Sequence, residues 1–328
     1  MKILIFEYIT GGGFNRQALP ESLSSEGRLM LGALLDNLTR LENIELTVML
    51  DWRLSDLISN NLINTVIISS EQDSSEEFQR LANQADIIWP IAPEFDGILQ
   101  QLCETAFALG KIVLSSSVKT ITIAGNKFKT YELLSQNHIT TVPTKIFNPL
   151  VTVASDKEWI IKPIDGVGCV DSYIITKPQD LNKIISYKKE YIIQPHLYGA
   201  KTSLSCLFKQ GRGWLVCANL QNFDIINQQY HLAEIVVNHH PDPGHYQPLI
   251  DHIALTLPEL WGYAGIDLIE TTEQTWVLEI NPRLTTSFVG IYDALGINIS
   301  EAVLQLLDGD PILKPLFNKT ISIQTHAS

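Results

Sequence analysis

The sequence predicts an α/β and α+β protein, with a parallel-sheet α/β domain first and β-rich lobes after it. Three observations predict this. Short apolar strands alternate with helical stretches over residues 1–115, the pattern of a parallel sheet. Further on, the strand WIIKP carries a lone lysine and runs directly into the loop DGVG (Asp165 to Gly168). Near the end, GIDLIE and WVLEINPR flank a polar TTEQ, the pattern of a β-hairpin with acidic residues inside it.

Residues 2–9, KILIFEYI, read as a buried first strand; the apolar run is too short for a signal peptide, and Glu7 interrupts it. TGGG (Thr10 to Gly13) follows, then a helical SSEGRLMLGALLDNL beginning near Ser22. This is not G-x-G-x-x-G, so no dinucleotide fingerprint is present. The glycines either bring backbone amides close to an anion or form an irregular loop needing positive φ. Glu26 and Arg28 either line the same crevice or sit on an exposed helix face. IELTVMLDW and TVIISS are strands, SEEFQRLANQA a helix, and ADIIWPIAPE a strand with a Pro-punctuated end. A helix from Asp96 to Leu109 and a strand KIVLSS complete the unit. Ligands on such sheets bind beyond the carboxyl ends of the strands, where Glu7, Thr10 to Gly13 and Pro90 to Glu94 fall.

Asn126 and Lys127 begin a helix that stops near Asn137. Lys162 is the only charge inside its strand, and a buried lysine without a partner is costly. A phosphate supplies that partner, and the small-residue loop with Asp165, Gly166 and Gly168 can present its amides to one. The alternative is a lysine that snorkels to water. YIIQPHLYGAKTSLSCLF and GWLVCANLQNF are further strands, and residues 246–260 look helical. VVNHHPDPGHYQP holds His239, His240 and His245 but reads as a loop rather than a histidine metal site. In the acidic hairpin, pairing Glu270 with Trp276 puts Asp267 opposite Glu279, with Asn281 on the same face as Glu279. The repulsion between two facing carboxylates is relieved by a hard cation, and all-oxygen ligands suit Mg²⁺ or Mn²⁺. A slip of one residue would turn Asp267 to the other face. After Arg283 comes a loop and a closing helix.

Composition bounds the partners. The 328 residues are 45% hydrophobic and 18% charged, with net charge −13, which excludes nucleic acid or an anionic membrane as the main partner. No apolar stretch reaches the length of a membrane span. Cys103, Cys169, Cys206 and Cys217 show no C-x-x-C spacing and read as buried thiols in a reducing cytoplasm.

The Asp267 and Glu-x-Asn-x-Arg set, Glu279 to Arg283, resembles the magnesium site of the ATP-grasp superfamily, whose members join a carboxylate to an amine at the expense of ATP. The upstream pieces come in that family's order. The resemblance implies a small α/β domain at 1–115 followed by a two-lobed ATP-grasp module, its small lobe at 116–190 and its large lobe with the metal site at 191–328. It implies metal ligands Asp267, Glu279 and Asn281. ATP would be bound by Lys127, with Lys129 as the alternative, and by Lys162, Asp165, Gly166 and Gly168, with Gln194 and backbone near His196 and Leu197 at the adenine edge. Arg283 and Lys162 would act on the acylphosphate chemistry. The chain departs from the pattern at Gln194, where many members have an acid, and at Lys201, where many have a ribose-binding glutamate. EYITGGG, SSEGRLM and EINPRLTTSFVG are similar to the tyramine–L-glutamate ligases of methanofuran-type cofactor synthesis. That narrower resemblance implies a glutamate-like acid and a tyramine-like amine as small-molecule substrates. A homodimer is compatible with the sequence. The alternative is a non-catalytic ATP-binding sensor of the same fold, which the two departures favour and the intact acidic set opposes.

Overall fold

The computed structural model describes residues 1–148, 157–177 and 189–325. Parts of the expected small lobe, 149–156 and 178–188, lie outside the described residues.

The N-terminal unit is built on five parallel strands in the order β3-β2-β1-β4-β5: β1 (Lys2–Glu7), β2 (Glu45–Asp51), β3 (Ile63–Ile68), β4 (Ile87–Ile91) and β5 (Ile112–Val113). A parallel sheet is covered on both faces, which is why KILIFE is apolar without alternation. Ile3 and Ile5 pack on the core beneath α1 (Glu21–Leu38). Leu4 and Phe6 face the opposite core with α2 (Ser74–Gln84) and α3 (Ile98–Ala108). The chain steps outward from β1 on one side through β2 and on the other through β4, so a crevice opens at their carboxyl ends. The expected helix from Asp96 begins instead at Ile98, because Asp96 (φ 53°) and Gly97 (φ 68°) are left-handed and break it.

Two short helices, α4 (Val118–Ala124) and α5 (Lys127–Gln136), lead into a four-stranded antiparallel sheet. Its order is β6-β9-β7-β8: β6 (Lys145–Ile146), β7 (Trp159–Pro163), β8 (Tyr173–Ile175) and β9 (Tyr191–Pro195). The expected start of the large lobe at 191 falls inside this sheet, since β9 pairs with both β6 and β7. The change of sheet comes between Pro195 and Ala200.

A six-stranded antiparallel sheet follows, β14-β13-β10-β11-β12-β15. Its members are β10 (Ala200–Lys209), β11 (Arg212–Ile226), β12 (Gln229–Val237), β13 (Gly262–Glu270), β14 (Thr275–Asn281) and β15 (Ile321–Gln324). One face buries Leu204, Phe208 and Ile266 against α6 (Gln247–Thr256). The β11–β12 hairpin turns at Asn227 and Gln228, both at positive φ as a tight two-residue turn requires. Its tip reaches the small sheet, where the Ile174 N–H donates to the Gln228 carbonyl at 2.8 Å. Among the described residues no single helix is long and apolar enough to cross a membrane. All four cysteines are free; Cys103, Cys206 and Cys217 are buried, whereas Cys169 is only partly so.

Candidate active site

The space between the two antiparallel sheets is a cleft, closed at one end by α1 and the segment after β14. Its wall includes Lys127, Lys162, Gly166, Gly168, Gln194, His196, Leu197, Asp267, Glu279, Asn281 and Arg283. The sequence places these residues far apart, and the two sheets bring them together.

The acidic pair sits on β13 and β14. Asp267 lies directly opposite Glu279, as expected, but by a different route. Near the turn the pairing is Glu270 with Thr275 and Ile269 with Trp276, one residue off the expected register. A β-bulge opposite Asp267 and Leu268 absorbs the difference: Leu278 is the extra residue on β14, and it brings Glu279 back opposite Asp267. Gln221 Nε2 donates to Asp267 Oδ1 at 3.2 Å, and Asn281 Nδ2 to Asp267 Oδ2 at 2.9 Å. Burial raises the Asp267 carboxyl above the usual range, and the facing Glu279 pushes the same way. Glu279 feels burial too, but Lys127 and Lys162 outweigh it and hold its carboxyl low.

Lys127 opens α5, whose N-cap Asn126 accepts from the Lys129 N–H at 2.9 Å. The Lys127 ammonium pairs with Glu279 Oε2 at 3.1 Å and also donates to the Gly166 carbonyl. Lys162 is 7% exposed on β7. Burial lowers its ammonium, Glu279 opposes that, and Lys127 adds to it. The cleft thus carries two close cations, balanced chiefly by Glu279, with Asp267 adding a smaller contribution at Lys162.

Several expected positions turn out differently. Asp165 is not on the cleft wall: its Oδ2 accepts from the Asp96 N–H at 3.0 Å, tying the loop to the N-terminal unit. Gly168 (φ 61°) does need glycine's freedom, and Cys169 (φ 59°) shares its left-handed backbone. Gln194 lines the cleft and donates to Thr144 Oγ1 at 2.7 Å. The His196 N–H is taken by the Glu158 carbonyl at 3.0 Å, and the Leu197 carbonyl by Lys201 Nζ at 3.0 Å. Of these two groups the His196 N–H is closed to a base edge, while the Leu197 carbonyl keeps a second lone pair. The His196 ring is held between Glu158 Oε2 at 2.8 Å and the Tyr230 hydroxyl at 2.7 Å. Gly11 to Gly13 form the irregular loop rather than an anion nest, because Gly11 N and Gly13 N bond to the carbonyls of Glu7 and Tyr8. Thr10 N–H and Oγ1 donate to Glu7 Oε2 at 2.7 and 2.6 Å, so that buried carboxylate is spent on the loop. Among the described residues no three His, Cys, Asp or Glu side chains converge.

Arg283 follows β14 and is engaged by the N-terminal unit. Its Nε and Nη2 donate to Glu94 Oε1 and Oε2, both at 2.9 Å, and Nη1 donates to the Leu284 carbonyl at 3.1 Å. Burial opposes the charge, but the Glu94 carboxylate overrides it and keeps the guanidinium fully protonated. Three of its five donors are used, which leaves two on a residue that lines the cleft. Glu94 lay in the right place in the sequence, beyond β4, though nothing there showed its partner. Gln221, Thr144 and Tyr230 carried no sequence signal at all.

Lys201 tests the electrostatics of the cleft. Burial, with Lys162 adding to it, pushes its ammonium down to about 8. A lysine whose folded value lies below its unfolded one costs stability wherever the unfolded chain binds the extra proton less unfavourably. Stability therefore rises as pH climbs from about 8 toward the unfolded value, about 10.4. Lys201→Met is expected to raise Tm at pH 7, with the gap from wild type shrinking by pH 10. Melting curves at both pH values check this; a lower Tm at pH 7 contradicts it.

Comparison with known proteins agrees with this geometry. The ATP-grasp domain family matches residues 124–287, and the pre ATP-grasp 3 domain family matches 44–121. The chain is 26% identical over 293 residues to the tyramine–L-glutamate ligase of Methanocaldococcus fervens, covering 88% of this chain and 89% of that one. It is 25% identical over 291 residues to the enzyme of the same name from Methanocaldococcus jannaschii, covering 88% and 84%. A crystal structure of an ATP-grasp superfamily protein from Archaeoglobus fulgidus superposes with a TM-score of 0.74 at 21% identity, covering 99% of this chain and 92% of that one. The chain belongs to the ATP-grasp family, as an ADP-forming carboxylate–amine ligase similar to tyramine–L-glutamate ligase.

Proposed function

We propose that the protein activates a carboxylate of glutamate as an acylphosphate with ATP and passes the acyl group to tyramine or a similar aromatic amine. The observation that carries the chemistry is Asp267 facing Glu279 across paired strands, with Lys127 and Lys162 beside them. What supports the substrates is the likeness to tyramine–L-glutamate ligases over 88% of the chain. We assign residues 1–115 to the α/β unit that closes the cleft, and place the small and large lobes on either side of it. The four free thiols and the use of ATP fit a cytoplasmic setting.

The acidic site fits Mg²⁺. Asp267 is a buried carboxylate with only neutral amide donors, Gln221 and Asn281, at hydrogen-bond distance. A divalent cation supplies the charge it lacks, and the oxygens of Asp267, Glu279 and Asn281 would hold it. When bound, Mg²⁺ neutralises phosphate oxygens. The protein's own groups do the rest. Lys127, Lys162 and the 166–169 loop surround the phosphates and hold the charge that spreads as the γ-phosphoryl moves. The acid's own oxygen attacks phosphorus and ADP leaves. The uncharged amine nitrogen then attacks the acyl carbon, phosphate departs with the electrons of the C–O bond, and the nitrogen gives its surplus proton to the leaving phosphate or water. Arg283, its plane fixed by Glu94, offers its remaining donors to the acid and its acylphosphate. No protein nucleophile takes part.

Hydroxylamine tests this. Incubation with ATP, Mg²⁺, glutamate and hydroxylamine is expected to give a hydroxamate, with ADP and phosphate in equal amounts. AMP and pyrophosphate as products would overturn the chemistry. ADP release with another acid, but never with glutamate, would keep the chemistry and discard the substrate.

A further inference from the structure

Two carboxylates of the cleft enter no ion pair among the described residues: Asp267, already assigned to the cation, and Glu26. Glu279 is paired with Lys127, and Glu94 with Arg283. Glu26, on the second turn of α1, also lines the cleft, yet among the described residues it enters no ion pair. Its one hydrogen-bond partner among the described residues is neutral: the Thr286 hydroxyl donates to Oε2 at 2.6 Å. Thr286 follows Arg283 by three positions, so this bond joins the N-terminal unit to the segment that carries the arginine. It also fixes the carboxylate's direction while leaving Oε1 free of a protein partner.

The helix face is the relevant one. Leu23 lies three residues before Glu26, on the same side of α1. A Cβ built on Gly168 would sit 3.6 Å from Leu23, so this face abuts the glycine loop. Gly27 lets the next turn close on the buried Glu7, since a Cβ there would lie 2.7 Å from Glu7 Oε2. The helix is thereby pressed into the end of the cleft. Arg283 is close enough for Glu26 to support its charge. Arg283 is already held by Glu94, so the half-buried Glu26 carboxylate keeps an oxygen for a cationic ligand at the end of the cleft.

Resting on the amide-forming reading above, we propose that Glu26 is the binding residue for a substrate's primary ammonium group. Two sources share that chemistry: the acceptor amine, and the α-ammonium of the amino acid. The site captures the partner as an ammonium, which sets specificity for cationic partners; an acceptor held there passes one proton to Glu26 or water before its nitrogen attacks, whereas an α-ammonium keeps its proton.

The test uses wild type and Glu26→Gln with ATP, Mg²⁺, glutamate and either tyramine or hydroxylamine, which is uncharged above neutral pH. If the acceptor is the source, the KM for tyramine rises about ten- to hundredfold, as for loss of a charge-assisted hydrogen bond. The ratio of tyramine-dependent to hydroxylamine-dependent ADP release falls by the same factor. If the amino acid is the source, the KM for glutamate rises instead, and the variant no longer prefers glutamate to glutarate, which lacks the ammonium. Either result supports the assignment. KM values for both substrates within about twofold of wild type, below the effect of one lost charged hydrogen bond, would overturn it. Thr286→Ala, which keeps the charge but frees it, is expected to give a smaller rise in the same KM, and it serves if Glu26→Gln does not fold. Hydroxamate formation by wild type stands or falls independently of these ratios, so failure of the ligase reading is seen separately.

Discussion

Glu279→Gln is expected to abolish ATP-dependent turnover, lowering it by about a thousandfold or more, while the protein still folds. Electrostatic groups aimed at charge that develops during reaction account for about two to three powers of ten each when removed singly. Glu279 does two such things. It balances Lys127 and Lys162, and it stands opposite Asp267 where the cation would be held. Asp267→Asn should be equally inactive but more stable than wild type in the absence of metal, because a buried carboxylate raised by burial and by its neighbour is replaced by an amide. Initial rates of ADP release and thermal melts with and without Mg²⁺ check both variants. Turnover near wild type in either would remove the acidic pair from the chemistry.

Glu94→Ala should cost more stability than any other single change at the cleft. Its carboxylate is 5% exposed, the Arg283 guanidinium 14%, and the two share a bidentate bond. Removing one partner of a buried pair leaves an unpaired charge, at a cost of about 3–5 kcal/mol. The double variant Glu94→Ala with Arg283→Met is expected to regain most of that stability, since no charge is stranded, yet to remain inactive. Denaturant unfolding of both singles and the double separates the two roles. Independent, additive losses would show that Glu94 and Arg283 do not act as a pair.

How much of this was legible in the sequence follows from the range of each interaction. The parallel sheet was legible because alternation of strands and helices is a local pattern. The facing of Asp267 and Glu279 was legible as a pair but not in its register, since the extra residue of the bulge, Leu278, leaves no mark in WVLEINPR. Lys162 announced itself by standing alone among apolar neighbours, and the structure does bury it. Asp165 shows the limit: its position in a glycine loop suggested phosphate, but a backbone N–H from a distant unit claims it. Glu94 and Glu26 were placed near a crevice by their positions, while their partners, Arg283 and Thr286, lie 189 and 260 residues away in the chain. The edge of the small lobe was misplaced because YIIQP reads as a strand without saying which sheet it joins.

The claim that the acid is activated through its own oxygen on the γ-phosphoryl group is tested most directly by isotope transfer. Glutamate carrying ¹⁸O in its carboxylates, incubated with ATP, Mg²⁺ and tyramine, is expected to give inorganic phosphate bearing one ¹⁸O for each amide formed, with unlabelled ADP. Label appearing in AMP, or amide formed with phosphate free of ¹⁸O, would contradict the account.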